Sequence, residues 1–344
     1  MEAPESVAIL RFSALGDVVL TSPAVDALRT AWPRTRILFA VKERLQHVVA
    51  HNPNVDEVVP LRPGEGPFSL GKRLRALRVG AVLDLHNKIR SKAVHASLPD
   101  VPWVVWRKRE LRDTLPVKLA LRPYHASMPF ADRYHRAVEQ LVGRTLEKGR
   151  LTYFLGPEDR AEGDRFLREA GVDPGRPLLG LSPGANWATK RWPSDRFGAL
   201  AARALAAGIQ VAVQGSADEQ PFADEVCRQA PGTVDLTGKM GIPALGGFIS
   251  HCTAFVANDS GPMHMARGLG VPTLSFFGST DPAMFDFSGH AVLFAGVSCA
   301  PCSFFGRARC PKGHFHCMLD LSVDAAWNAL QPLLDGKRRA LLTA

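Results

Sequence analysis

Residues 255–278 read FVANDSGPMHMARGLGVPTLSFFG, and this order of residue types decides the architecture of the chain. Ala254-Phe255-Val256-Ala257 is a short, unbroken apolar run, the pattern of a buried strand. Asn258, Asp259, Ser260 and Gly261 follow, all loop and helix-capping types. Pro262 falls in the first helical turn, where a missing N–H costs nothing. Met263, Met265, Ala266 and Leu269 supply the apolar side of a short helix, Gly270 ends it, and residues 271–277 form a second strand. Strand, polar loop, helix and strand make one βαβ unit, which almost always closes as a right-handed parallel crossover. The loop puts free backbone N–H groups and a helix N-terminus at the carboxyl end of a strand, a setting that suits phosphate. Taken alone, Asp259-Ser260-Gly261 serves equally well as a plain helix cap.

The same alternation extends in both directions. On the N-terminal side, strands are expected at 7–12, 36–41, 55–60, 81–85 and 101–106. Helices are expected at 18–32 (kinked or delayed by Pro23), 44–52, 70–77 and 131–142. Before the opening stretch, strands at 178–181, 209–214 and 234–236 alternate with helices at 192–207, 221–229 and 242–250, and a last helix spans 323–333. This spacing predicts an α/β chain with parallel, doubly wound sheets. The best linker lies in 156–177, which holds Gly156-Pro157 and the run GVDPGRP. The expected organisation is an N-terminal Rossmann-like domain over 1–160, a linker over 161–177, a second Rossmann-like domain over 178–322 and a closing helix over 323–344. Two such domains predict a cleft between them, with ligands outside the carboxyl ends of strands.

The chain has 344 residues, 46% hydrophobic and 22% charged, which suits two soluble globular domains. No run of 18 apolar residues marks a membrane span, and the acidic start MEAPESVAILRF is unlike a secretory signal, so cytoplasm is expected. The net charge of +9 is uneven: residues 1–155 hold 25 Lys and Arg against 15 Asp and Glu, and the rest hold 17 against 18. Between Arg62 and Arg122, 14 basic residues face 5 acidic ones. That segment either meets an anionic partner or is a solvated basic face. A nucleic-acid partner lacks any supporting motif; an anionic membrane face or an anionic substrate fits.

Cys299, Cys302, Cys310 and Cys317 lie within 19 residues, with His314 and His316 among them. By spacing they read as a structural zinc or iron site, with reduced structural thiols as the alternative.

Three motifs in order carry a resemblance: Arg11-Phe12-Ser13-Ala14-Leu15-Gly16-Asp17 early; Ser182-Pro183-Gly184-Ala185 with Lys190-Arg191-Trp192-Pro193 midway; and Asn258-Asp259-Ser260-Gly261-Pro262-Met263-His264 followed by Phe277-Gly278-Ser279-Thr280-Asp281-Pro282 late. Through them the chain resembles glycosyltransferase family 9, the bacterial ADP-heptose:lipopolysaccharide heptosyltransferases, over nearly its full length. The resemblance implies the glycosyltransferase B fold, two Rossmann-like doubly wound parallel-sheet domains facing a cleft. It places the acceptor on the first domain and the nucleotide sugar on the second. It also implies inversion at the anomeric carbon with no cofactor required for catalysis. Asp17 matches the family's general base; its other reading is a helix cap. Lys190 matches the phosphate-contacting lysine. The N–H groups around Asp259, Ser260 and Gly261 would hold the pyrophosphate, helped by His264, Gly184 and Ala185; His264 reads otherwise as a capping or core histidine. Glu219 matches an acidic ribose-binding position, with Asp218 as rival. Arg90 and, more weakly, Arg62 match acceptor-contacting positions, with Lys88 and Lys92 nearby. The implied partners are an ADP-heptose donor, an inner-core lipopolysaccharide acceptor (Kdo-lipid A or a heptosylated core) and the anionic cytoplasmic membrane face. Transfer to a protein or another glycan, or sugar-nucleotide binding without transfer, are the alternatives.

Overall fold

Strand β1 (Ser6–Leu10) lies between β2 (Arg36–Lys42) and β4 (Ala81–Asp84), and β3 (Glu57–Leu61) and β5 (Trp103–Val105) complete a sheet of order β3-β2-β1-β4-β5. All its pairings are parallel. The second sheet holds β6 (Leu178–Ser182), β7 (Gln210–Val213), β8 (Val234–Asp235), β9 (Ala254–Asn258), β10 (Thr273–Phe277) and β11 (Ala291–Phe294). Its order is β11-β10-β9-β6-β7-β8, again entirely parallel. The computed structural model describes residues 2–106 and 128–335. The described chain divides between Phe154 and Leu155 into two units, each carrying one sheet. Both central strands, β1 and β6, are buried along their whole length, as expected when helices cover both faces of a parallel sheet.

Each order contains one reversal of winding, between β1 and β4 in the first unit and between β6 and β9 in the second. At such a switch point the following loops run to opposite sides and leave a crevice at the carboxyl edge. The loops carrying Asp17, Gly184, Lys190 and Asp259 leave these strands, and the loop carrying Glu219 leaves β7 beside them.

In the first unit the helices are α1 (Leu15–Val19), α2 (Ser22–Ala31), α3 (His47–Ala50), α4 (Pro67–Ala76), α5 (Ile89–His95) and α6 (Phe130–Val142). The helix expected at 18–32 is two: α1 starts earlier and brings Asp17 into its first turn, and α2 restarts with Pro23 at its second position. The second unit has α7 (Pro157–Glu169), α8 (Ser194–Ala206), α9 (Gln220–Gln229), α10 (Ile242–His251), α11 (Gly261–Gly268), α12 (His316–Leu319) and α13 (Val323–Leu334). Much of the stretch read as a linker is α7, which packs on α10. A Cβ on Gly163 would sit 2.4 Å from the Gly247 carbonyl carbon, so the two backbones touch where neither residue has a side chain. The polar sequence of α7 hid that contact, because glycine marks a close approach without adding hydrophobicity.

The opening stretch folds as read. β9 and β10 pair in parallel, α11 connects them, Ser260 is the N-cap, and Gly270 takes φ +72° just past the helix. Met263, Met265 and Ala266 are fully buried. No helix among the described residues is long and apolar enough to cross a membrane.

Candidate active site

At the β6/β9 switch point, Asn258 joins the two loops. Its Nδ2 donates to the Pro183 carbonyl (2.7 Å), and its Oδ1 accepts from the Trp192 N–H (2.9 Å). Trp192 is buried, stacked on Phe276 at 4.1 Å, and its ring N–H donates to Leu321 (2.9 Å). Thus the 3-10 turn Ala188–Lys190 is tied at one end to the core. At the other, Thr189 N–H donates to the Arg307 carbonyl (3.1 Å) and Thr189 Oγ1 lies 2.9 Å from Ser279 Oγ.

This scaffold delivers Lys190 to the N-terminus of α11. Lys190 Nζ lies 2.7 Å from Asp259 Oδ2, with side-chain exposures of 15% and 4%. The same oxygen accepts from Thr280 Oγ1 (2.7 Å). An ammonium has three donors, so Lys190 keeps capacity for an anion after meeting Asp259. Ser260 Oγ, at the helix N-cap, is buried with no hydrogen-bond partner among the described residues. His264, one turn on, is buried against Phe285. Burial first, then the charges of Arg267 and Lys190, hold its imidazole well below the ordinary histidine value. It is therefore neutral at pH 7. The Asp259 carboxylate thus anchors Lys190 and Thr280, and its own N–H donates to the Phe276 carbonyl (3.3 Å).

Glu219 and Asp218 separate cleanly. Both lie on the 3-10 turn Ala217–Glu219 after β7. Glu219 Oε2 accepts from the Ser216 N–H (2.9 Å), and its carboxylate lies against Gly184 and Gly215. A Cβ at Gly184 would come within 1.9 Å of Glu219 Oε1, and one at Gly215 within 3.0 Å of Oε2. Asp218 is exposed instead, its carboxyl held low by the Ser216 hydroxyl. Glu219 is therefore the acid at the strand ends. Ala185, beside Gly184, is buried, and its carbonyl accepts from Arg191 Nε (2.7 Å). Gln214 Nε2 is buried with no hydrogen-bond partner among the described residues, and the buried Thr237 hydroxyl faces the Asp235 carboxylate. The sequence reading missed both; their only signal was a position just past β7 and β8.

In the first unit, Asp17 Oδ2 accepts from the Ala14 N–H (3.1 Å) and meets Arg11 NH2 at 2.5 Å. Asp17 thus does cap its helix, and its side chain is still 35% exposed. Both contacts use Oδ2, and Oδ1 makes no contact of this kind among the described residues. Arg11 is buried, spans the β1/β4 switch point by donating to the Leu85 carbonyl (2.5 Å), and lies over the Tyr134 ring at 5.5 Å. The sequence reading quoted Arg11 without giving it a role. Near it, burial pushes the Asp84 carboxyl up, against hydrogen bonds from Asn87, Ser91 and His86. Arg62 and Arg90 are exposed, and neither makes an ion pair among the described residues. Lys88 and Lys92 are exposed as well. Part of the basic stretch, residues 107–122, lies outside the described residues.

The four clustered cysteines form no disulfide with one another. Burial and then the Cys302, Cys310 and Cys299 thiols push Cys317 up to about 12. Cys299 Sγ lies 3.6 Å from His314 Nε2, yet no three ligand atoms of the group come within 4.8 Å of one another. Their loop is built onto the donor side: Cys302 and Ser303 N–H groups both donate to the Ser279 carbonyl (3.0 and 2.8 Å).

Residues 67–303 match the profile described as glycosyltransferase family 9 (heptosyltransferase). The chain is 30% identical to lipopolysaccharide heptosyltransferase 1 of Pseudomonas aeruginosa, over 86% of this chain and 85% of the relative. Among solved structures, a family 9 glycosyltransferase from Veillonella parvula superposes with a TM-score of 0.82 at 22% identity, covering 98% of this chain and 99% of that one. ADP-heptose lps heptosyltransferase II of E. coli gives 0.74 at 20% identity, covering 96% and 99%. These likenesses show the fold, the glycosyltransferase B arrangement of two parallel-sheet units. With the profile match and the Pseudomonas relative, they place the sequence beyond fold likeness alone: the chain belongs to glycosyltransferase family 9, the heptosyltransferase family.

Proposed function

We propose that the protein transfers heptose, with inversion, from ADP-heptose to an inner-core lipopolysaccharide acceptor. The observation that carries this reading is the Lys190–Asp259 pair at the N-terminus of α11, with Glu219 set against Gly184 two strands away. One end of that arrangement suits a diphosphate and the other a ribose. Family membership and the named relatives support the donor and acceptor class.

In this reading Asp17 Oδ1 takes the proton of the acceptor hydroxyl as its oxygen attacks the anomeric carbon. The bond from that carbon to the β-phosphate oxygen breaks, and ADP leaves with the electron pair. The sugar passes through an oxocarbenium-like state, as in inverting glycoside hydrolysis with the hydroxyl in place of water. Lys190, the N–H groups of Ser260 and Gly261 and the neutral His264 meet the charge that grows on the leaving phosphate. Glu219 accepts from the ribose hydroxyls. Arg62 and Arg90 meet the anionic groups of the acceptor, and the basic face of the first unit docks the enzyme on the anionic cytoplasmic leaflet. A zinc or iron ion on Cys299, Cys302, Cys310 and Cys317 has a structural place here. The thiol set suits such an ion, and the sulfurs would have to draw together to hold it; metal analysis of the purified protein decides it.

Incubation with ADP-heptose and a series of truncated lipopolysaccharides tests the proposal, with product linkage read by NMR. Transfer to an inner-core acceptor is expected, and loss of it in Asp17→Ala with ADP binding retained. Full transfer by Asp17→Ala would remove Asp17 as the base. Transfer to none of the acceptors, with ADP-heptose still bound, would favour a protein or other glycan acceptor.

A further inference from the structure

His264 and Arg267 lie three residues apart on α11, and their contact decides where the histidine carries its proton. Arg267 NH1 is 3.3 Å from His264 Nδ1. A guanidinium has donors only, so Nδ1 must be the accepting, unprotonated nitrogen. A neutral ring then holds its hydrogen on Nε2. A proton on Nδ1 would turn an N–H against another N–H and place two cations side by side. Nε2 makes no hydrogen bond among the described residues and is not among the buried orphan atoms.

The guanidinium is itself fixed. Its NH2 donates to the Asp286 carbonyl, and its centre lies 4.2 Å from the Phe287 ring centroid. Charged and titratable groups face this pair from several elements. Lys190 acts on His264 from the turn after β6. Asp259, after β9, and Asp286, after β10, act on Arg267 with the opposite sign. His290 feels Arg267 as well and is itself depressed to about 4, chiefly by burial. Two cations beside a buried ring oppose a third charge there, and the hydrogen bond adds direction to that opposition.

We propose that Arg267 is a positioning residue that locks His264 as the neutral Nε2–H tautomer. The anion site then presents a fixed N–H donor that does not change with pH across the neutral range. This rests on the reading that the diphosphate lies at the N-terminus of α11. Without Arg267, the neutral ring would divide between two tautomers, only one of which places a hydrogen on Nε2, and the ring would titrate nearer the ordinary value.

The test is long-range proton–nitrogen NMR on full-length protein labelled at histidine, with His264 assigned by loss of its signals in His264→Gln. The wild type should show the neutral Nε2–H pattern from about pH 5.5 to about pH 8.5, a span set around the ordinary histidine value. In Arg267→Met the signals should titrate within that span, and in Arg267→Lys, which keeps a donor, the tautomer should persist. ADP binding, measured by calorimetry on the same proteins, supplies the functional arm. The Kd of Arg267→Met relative to wild type should rise about fivefold to tenfold at pH 8, in keeping with one weakened charge-assisted hydrogen bond. That ratio should shrink toward pH 6, because an imidazolium carries a hydrogen on both nitrogens. A wild-type His264 that titrates above pH 6, or that holds its hydrogen on Nδ1, overturns the proposal. So does a Kd ratio independent of pH, which would mean that Arg267 acts only through its charge. If His264→Gln binds ADP like wild type, the fault lies instead with the diphosphate placement, and the tautomer result stands apart from it.

Discussion

Replacing Gly184 with alanine should leave the fold standing and strip the enzyme of its hold on the donor. The new Cβ would sit 1.9 Å from Glu219 Oε1 and 2.1 Å from its carboxyl carbon, far inside contact distance. Those atoms end a flexible side chain, so Glu219 swings away and the backbone stays. The swing forfeits the 2.9 Å hydrogen bond from the Ser216 N–H. That loss costs about 1 kcal/mol, and a domain of this size then melts about 2–4 °C lower. Donor affinity should suffer more. If Glu219 holds the ribose, its displacement removes hydrogen bonds to a charged acceptor worth roughly 1.5–3 kcal/mol, which is a rise of about 10- to 150-fold in the ADP Kd. Calorimetric titration of ADP into the variant reads this directly, with a thermal melt as the control for folding. To separate crowding of the nucleotide by the alanine methyl from loss of Glu219, Glu219→Ala and the double variant complete a cycle. Acting through Glu219, the Gly184→Ala and Glu219→Ala losses should not add. Additive losses, or ADP binding by Gly184→Ala as tight as wild type, would refute the placement of Glu219 at the donor.

Asp17→Asn should keep ADP affinity within about twofold and lower kcat by about 10²–10⁴-fold; an unchanged kcat in a steady-state assay would show that another group takes the proton. Gly163→Ala forces a Cβ to 2.4 Å from the backbone of Gly247, an overpacked contact that cannot relax through a rotamer and should cost about 1–3 kcal/mol or more in urea denaturation. Stability should also fall with acid below pH 6.5, because His264 is held well below its ordinary value and His290 lies at about 4. The unfolded chain binds these protons first, so stability is full above the unfolded pKa and declines at up to about 1.4 kcal/mol per pH unit for each histidine as pH falls. His290→Gln should flatten that slope in urea titrations, and an equal slope in wild type and variant would contradict its buried, neutral state.

Much of this site was legible because parallel α/β folds write their sites in local sequence. A continuous apolar strand that ends in polar, glycine-containing residues must release its loop at the carboxyl edge, so the loops were legible from pattern, while Asp17, Lys190 and Glu219 were singled out within them through the family resemblance. Three motifs in fixed order carried that resemblance. Helix starts and polar helices were less legible. The early start of α1 depends on the capping contact between Asp17 and the Ala14 N–H, and α7 looks like a linker because its packing relies on two glycines rather than on an apolar stripe.

By itself the sequence determined the two parallel sheets, the family and the identities of the polar residues at the strand ends. Hydrophobic periodicity and loop chemistry are local properties, and they survive without any knowledge of which strands become neighbours. Only the tertiary structure decided what those residues do to one another. Strand order alone brings Asn258 to Pro183, Lys190 to Asp259, Glu219 to Gly184 and Arg11 to Leu85, across separations of 75, 69, 35 and 74 residues. The choice of Glu219 over Asp218, the Oδ2 contacts of Asp17 and the neutral His264 follow from those neighbours. Charge, burial and hydrogen-bond direction are set by groups in space, and no spacing along the chain encodes them.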